Sequence, residues 1–138
     1  QKVLKSLGVK NTRLRPHPSE NSNWYNKVID NSFYSIDNDS LENSIKNSTL
    51  IIGPISTVMI DSLYHGINYV LYEPLLNNKT ILGYPITPPI DGTDPSIPIA
   101  HNEEELYSII QEKKRIPIKV YGELVQTPRD ISFLNDLI

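Results

Sequence analysis

The run Thr49–Pro74, TLIIGPISTVMIDSLYHGINYVLYEP, leaves a chain of this kind few ways to fold. Leu50-Ile51-Ile52 is short, apolar and β-branched, the pattern of a strand buried on both faces. Gly53-Pro54 breaks it, and Ser56-Thr57 stands where a helix N-cap belongs. Val58, Met59, Ile60, Leu63 and Tyr64 then predict the wide apolar stripe of a helix. Gly66 supplies the stop, and Tyr69-Val70-Leu71-Tyr72 predicts a second buried strand. Strand, helix and strand joined this closely make a βαβ unit, whose strands run parallel. In such sheets ligands bind beyond the carboxyl ends of the strands, where loops feed helix N-termini. The turn Gly53–Thr57 falls at that place. Its backbone N–H groups, two hydroxyls and positive helix end suit a phosphate.

The flanking segments extend the same alternation. Lys2–Leu7 reads as the end of a helix stopped by Gly8, and Asn11–Arg15 as a short strand. Arg15-Pro16-His17-Pro18 forces an extended exit, because a residue before proline avoids the helical region. Ser19 then caps a helix with Glu20 in its first turn and Trp24, Tyr25 and Val28 on its inner face. Phe33–Ile36 is the next strand, and Asp39 or Ser40 caps a helix to about Asn47 with Leu41 and Ile45 turned inward. The order β-α-β-α-β-α-β predicts an α/β fold, a Rossmann-like parallel sheet flanked by helices. After Pro74 the pattern changes. Leu75–Ile99 carries five prolines and no periodicity, so a long loop is expected. Asn102 caps a helix that starts with three glutamates and buries Leu106, Ile109 and Ile110. Ile116–Val120 reads as a short strand or extended segment, and Thr127-Pro128-Arg129-Asp130 opens a last helix through Ile138.

At 138 residues the chain is long enough for one domain with a real core. It begins at Gln1 inside a helical pattern, so it reads as a piece of something longer. The formal charge is −3, and basic residues are scattered apart from Lys113-Lys114-Arg115. A duplex-binding domain needs a basic face, so nucleic acid is not the expected partner. There is no cysteine, which removes disulfides and thiolate metal sites and fits a reducing compartment. No apolar run reaches the roughly 20 residues of a membrane span, and no signal peptide is visible. The expected location is the cytoplasm, free or peripheral to the inner face of the membrane. His17, His65 and His101 fall on different elements, so no metal site is expected from them. A Walker loop, a G-x-G-x-x-G fingerprint and a Ser-His-Asp order are all missing.

The candidate site residues are those expected at the carboxyl ends of strands. His17 lies past the first strand between two prolines; its bland alternative is a surface histidine in a stiff turn. Ser56 and Thr57 either cap their helix or meet an anion, and one hydroxyl can do each. Glu73 follows a strand and should reach the same rim, unless it is only a solvated loop acid. Ser35, Asp37 and Asn38 end the Phe33 strand and are placed to meet a ribose or base, although turn-forming residues look the same. Gly53 is the one glycine at the phosphate turn, which argues against an ordinary NAD or ATP site. His65, beside the helix-ending Gly66, reads as structural. His101 has no evident partner, and Tyr64, Tyr69 and Tyr72 read as core and wall.

Strand, Gly-Pro-x-Ser-Thr, amphipathic helix, small residue and strand together resemble the donor-binding C-terminal half of GT-B glycosyltransferases. Arg15-Pro16-His17-Pro18 and Ser56-Thr57 are similar to the His-Pro and Ser-Ser/Thr motifs of bacterial sialyltransferases and polysialyltransferases. The resemblance covers about Lys10–Pro74. It implies a single nucleotide-sugar-binding domain over 1–138, with a CMP-sialic-acid-type donor and no further cofactor. It also implies that His17 assists departure of CMP and that Ser56 and Thr57 bind the donor phosphate; Arg15, Ser35, Asp37, Gly53 and Glu73, expected around the same rim, complete the candidate substrate-binding residues. His17 and the Ser56-Thr57 turn would then face one crevice. A glycan acceptor would bind through a separate N-terminal domain, which in this family also holds the acidic general base. Teichoic-acid glycerophosphotransferases, which use CDP-linked donors, share a related pair of motifs. Two further readings stay open: a nucleotide-binding or regulatory module without chemistry, and an unrelated α/β domain whose Ser-Thr turn only caps.

Overall fold

The computed structural model describes residues 1–17, 22–74 and 94–126. The protein is α/β, with two small parallel sheets flanked by helices, and it divides into two compact units, Gln1–Ser44 and Ile45–Ile138.

In the first unit the elements are α1 (Lys2–Ser6), β1 (Thr12–Leu14), α2 (Ser22–Val28) and β2 (Tyr34–Ile36). A third helix, α3 (Leu41–Lys46), runs across the boundary into the second unit. Gly8, at φ +71°, stops α1. Its N–H donates to Lys5 O (3.1 Å) and that of Val9 to Leu4 O (3.0 Å), the paired bonds of a Schellman stop. Strands β1 and β2 pair in parallel, with Arg13 opposite Ser35. Lys5 Nζ lies 2.8 Å from the Asp30 carboxylate and 5.4 Å from the Phe33 ring centre, tying α1 to the turn before β2. Of the two candidate caps for α3, Ser40 is the one used: its hydroxyl accepts the Asn43 N–H at 3.2 Å. The predicted inner face of α2 is corrected. Trp24 and Val28 are 56% and 55% exposed. Their spacing of four places them on one side of a helix, but a seven-residue helix beside two three-residue strands has little to cover that side. Ser19 and Glu20, the expected start of this helix, lie outside the described residues.

The second unit contains β3 (Leu50–Gly53), α4 (Thr57–Tyr64), β4 (Asn68–Tyr72), β5 (Ile99–Ala100), α5 (Glu103–Gln111) and α6 (Ile118–Gln126). The strand order is β3-β4-β5, all parallel. Tyr69, Val70 and Leu71 of the central β4 are buried, whereas β3 is only partly covered, unlike the two-sided burial expected for it. Met59 and Leu63 of α4 pack with Tyr69, Leu71, Ile97, Val120 and Leu124 in one core. Each such fully buried side chain contributes about 1.5–3 kcal/mol. Tyr64, expected on the same stripe, is 68% exposed. The α4 stop is as predicted: Gly66 at φ +71° donates to Leu63 O, and Ile67 to Ser62 O.

Two further expectations are corrected in this unit. Ile116–Val120 is no strand: α6 begins at Ile118, and Val120 and Leu124 are fully buried one turn apart. Local β-branched content suggested extension, but the spacing of four is what met the core. The predicted loop also ends sooner than Ile99, because Ile99–Ala100 pairs with Leu71–Tyr72 as β5. Residues 75–93 and the predicted last helix lie outside the described residues. Asn102 caps α5 as expected, its side chain accepting the Glu105 N–H at 2.8 Å. Among the described residues no helix is long and apolar enough to cross a membrane.

Candidate functional site

Three parallel strands put their carboxyl ends on one edge, so β3, β4 and β5 deliver Gly53–Thr57, Glu73 and His101 to the same side of the sheet. The strands lie in chain order, without the reversal that marks the ligand crevice of a doubly wound sheet. The edge must therefore be assessed from its own polar groups.

Glu73 is the hub of this edge. Its N–H donates to Ala100 O at 2.8 Å, and its carbonyl accepts from His101 Nδ1 at 2.8 Å. Its carboxylate accepts the Ile55 N–H at 3.1 Å. The residue is 4% exposed, so it is not the solvated loop acid that was its bland alternative. A carboxylate this buried needs donors, and here the Gly53–Thr57 turn itself supplies one. Glu73 thus stands at the predicted rim as the brace of the turn.

Gly53 and Tyr69 shape the turn from below. The Tyr69 hydroxyl donates to Pro54 O at 2.6 Å. A Cβ at Gly53 would collide with the Tyr69 phenol oxygen and lie 3.2 Å from its ring carbon. Glycine is therefore needed for passage of the tyrosine. Burial pushes the Tyr69 hydroxyl pKa well up; Ser56 pulls it the other way, and the Glu73 charge adds to the rise. Tyr69 keeps its proton on Pro54 O, so at the 3.5 Å contact with Ser56 the serine hydroxyl is the donor.

Ser56 occupies the N-cap position of α4 in extended backbone, φ −161° and ψ 171°, yet its side chain makes no capping bond. The Met59 N–H donates to the Ser56 carbonyl instead, at 3.1 Å. Plain side-chain capping, the ordinary use of Ser-Thr at a helix start, is not what this serine does. Thr57 is the first helical residue, and among the described residues its hydroxyl makes no hydrogen bond.

The remaining predicted residues belong to the first unit, where they gather at the carboxyl edge of β1 and β2. Arg15 Nη1 lies 3.6 Å and Arg13 Nη1 3.8 Å from the Asp37 carboxylate, whose side chain is 7% exposed. Arg15 also donates to Asp39 O (2.6 Å) and Ser44 Oγ (3.3 Å), and Arg13 to Ser44 O (3.1 Å). Burial would raise the Asp37 carboxyl. The Ser44 hydroxyl, the Asp39 N–H and the two guanidiniums outweigh it and hold the group below its ordinary range. Arg15 and Asp37 are therefore engaged with each other and with the backbone. Ser35 is exposed on β2, and His17 is exposed in the segment after β1. Asn38 is exposed next to Asp37.

Sequence reasoning passed over His101. Its ring bonds the Glu73 carbonyl, and its N–H donates to Glu105 Oε2 at 2.7 Å. The signal was positional: it precedes an Asn N-cap just as Ile55 precedes Ser56, directly after a strand. A two-residue strand inside a proline-rich stretch hid that position. His65 closes α4 and stacks edge-on against Tyr64 at 5.1 Å, a structural role. Among the described residues no three histidine or acidic side chains converge as a metal site would require.

No family model, curated protein or solved structure matches the chain.

Proposed function

We propose that this chain is the donor-binding domain of a bacterial surface-polysaccharide glycosyltransferase that takes a nucleotide sugar of the CMP-sialic-acid type. The observation carrying this reading is the serine at the start of α4, whose hydroxyl is left out of helix capping beside a second hydroxyl on Thr57. The two stand at the carboxyl end of a parallel strand and at the positive end of an eight-residue helix. In this reading Thr57 holds the donor phosphate together with Ser56, whose hydroxyl turns to it from the long 3.5 Å contact with Tyr69, and Glu73 and Tyr69 keep their turn in shape. His17 aids departure of the nucleotide, with the Arg15–Asp37 pair bracing its segment. The general base and the acceptor belong to another domain, and the location is the cytoplasm or the inner membrane face. A CDP-glycerol-type glycerophosphotransferase would use the same turn in the same way.

One observation favours a second reading, a nucleotide-binding or regulatory module without chemistry. The Glu73 carboxylate already takes the Ile55 N–H, so one donor of the turn serves an internal anion. Calorimetric titration of the chain with CMP, CDP, UDP and ATP tests both. The donor-domain reading expects cytidine nucleotides to bind tighter than UDP or ATP. Equal affinity for all four supports the module, and no binding by any of them removes both.

A further inference from the structure

We propose that His101 is a ligand-contacting residue of the β3-β4-β5 edge, its Nε2 accepting a hydrogen bond from a sugar hydroxyl of a nucleotide whose phosphate lies at Ser56 and Thr57. The inference rests on the nucleotide reading above and adds to it the group that meets the sugar.

The argument begins with the ring's other nitrogen. Nδ1 is 2.8 Å from the Glu73 carbonyl oxygen, which carries no proton, so Nδ1 must be the donor. In the neutral ring that bond assigns the lone pair to Nε2. Among the described residues Nε2 makes no hydrogen bond, and the residue is only half-buried. The backbone is held as well, by the bond from the His101 N–H to Glu105 Oε2 (2.7 Å). Tying β5 to β4 accounts for Nδ1 and leaves Nε2 without a role. A side chain fixed at both ring and backbone, with one nitrogen left over, is set up to meet a ligand.

Chemistry and spacing select the ligand group. A lone pair cannot serve a phosphate oxygen, which also lacks a proton, but it suits a hydroxyl. Neighbouring strands lie about 4.8 Å apart, so the ends of β3 and β5 are separated by roughly 10 Å with β4 between them. A nucleotide laid across the edge puts its phosphate at the β3 end and a sugar at the β5 end. Glu73 couples the two positions, holding the turn through its carboxylate and the histidine through its carbonyl.

The test separates the two ring nitrogens. In His101→Asn the side-chain amide stands where Nδ1 stood and keeps a donor for the Glu73 carbonyl, with nothing at Nε2. His101→Gln reaches the Nε2 position and gives up the tie. Each variant is melted and titrated with CMP. His101→Asn is expected to melt with the wild type and bind CMP about tenfold more weakly. His101→Gln should melt lower and keep most of its CMP affinity. Wild-type CMP affinity in His101→Asn overturns the proposal. So does lowered melting of both variants with unchanged affinity, the signature of a purely structural histidine. A wild-type chain that binds no CMP is a different failure, because it removes the nucleotide reading first and the histidine's role with it.

Discussion

At the carboxyl edge of β1 and β2 the charged side chains answer one another: Arg13 and Arg15 face Asp37, and they also donate to Ser44 and Asp39. At the edge of β3, β4 and β5 a buried carboxylate answers the backbone instead, and leaves the Thr57 hydroxyl and a ring nitrogen outside its network, with Ser56 held by a long 3.5 Å contact to Tyr69. The two edges look alike in sequence, each a strand followed by polar and proline residues. What separates them is which groups fold into mutual satisfaction. A charge cluster that closes on itself commits its groups to holding a turn; the other edge commits fewer of them.

The sharpest probe of that contrast is the packing under the β3 turn. Gly53→Ala should cost roughly 2–3 kcal/mol, because the new methyl meets the Tyr69 phenol in a packed core. In a Tyr69→Phe background the cost should fall, since the hydroxyl that collides is gone. Denaturant melts of the four-protein cycle decide it. Equal costs in both backgrounds mean that Tyr69 is not what excludes a side chain.

The braces of the two edges come next. Glu73→Ala strips a nearly buried acceptor from the Ile55 N–H and should cost about 2 kcal/mol. Arg15 is 37% exposed, and Arg15→Ala should cost less than about 1 kcal/mol. Matching losses in thermal melts would break the distinction between a buried brace and a half-exposed one.

Replacing Ser56 and Thr57 together by alanine should weaken CMP binding about tenfold. Stability should drop by only a few tenths of a kcal/mol, less than the loss of a working cap, because the Ser56 side chain makes no capping bond. A melt lowered by the full cap value, with CMP affinity intact, would return these residues to helix capping.

Acid should weaken the first unit in a recognisable window. Asp30 is held down to about 2, first by the Lys5 hydrogen bond and then by Ser32, and Asp37 is also lowered. Groups with depressed folded values stabilise above their unfolded value, near 3.8, and lose that contribution as pH falls through the folded value. Melting temperature should decline from about pH 4 towards pH 2, and less steeply in Asp30→Asn and Asp37→Asn. In the second unit Asp94 is held down the same way, by Ser96 first, so its own decline should remain in those variants.

The smallest effect concerns a stop signal. Helix α5 ends with Lys113 at φ +55°, its N–H donating to Ile110 O and that of Lys114 to Ile109 O. This is the bonding that Gly8 and Gly66 provide elsewhere, formed here by a residue that resists it. Lys113→Gly should therefore stabilise the protein by about 0.5–1 kcal/mol, read as a raised melting temperature.

What the sequence determined by itself is local. The strands Leu50–Gly53 and Asn68–Tyr72, the helix between them and their parallel pairing follow from apolar spacing and short connections. Gly8, Gly66, Ser40 and Asn102 act within one turn of where they stand, so their roles were legible. The tertiary structure decided what depends on residues far apart in the chain. Glu73 reaches back 18 residues to the Ile55 N–H, and His101 reaches back 28 to the Glu73 carbonyl. No local pattern tells whether an acid after a strand will be buried, or whether a serine in a capping position will cap. Periodicity aligned Trp24 with Val28, and Tyr64 with its helix stripe, but alignment on a face does not say whether another element covers it. Covering a face, and giving a buried charge its donors, are properties of the assembled chain; the spacing of side chains along one helix or strand is a property of the segment.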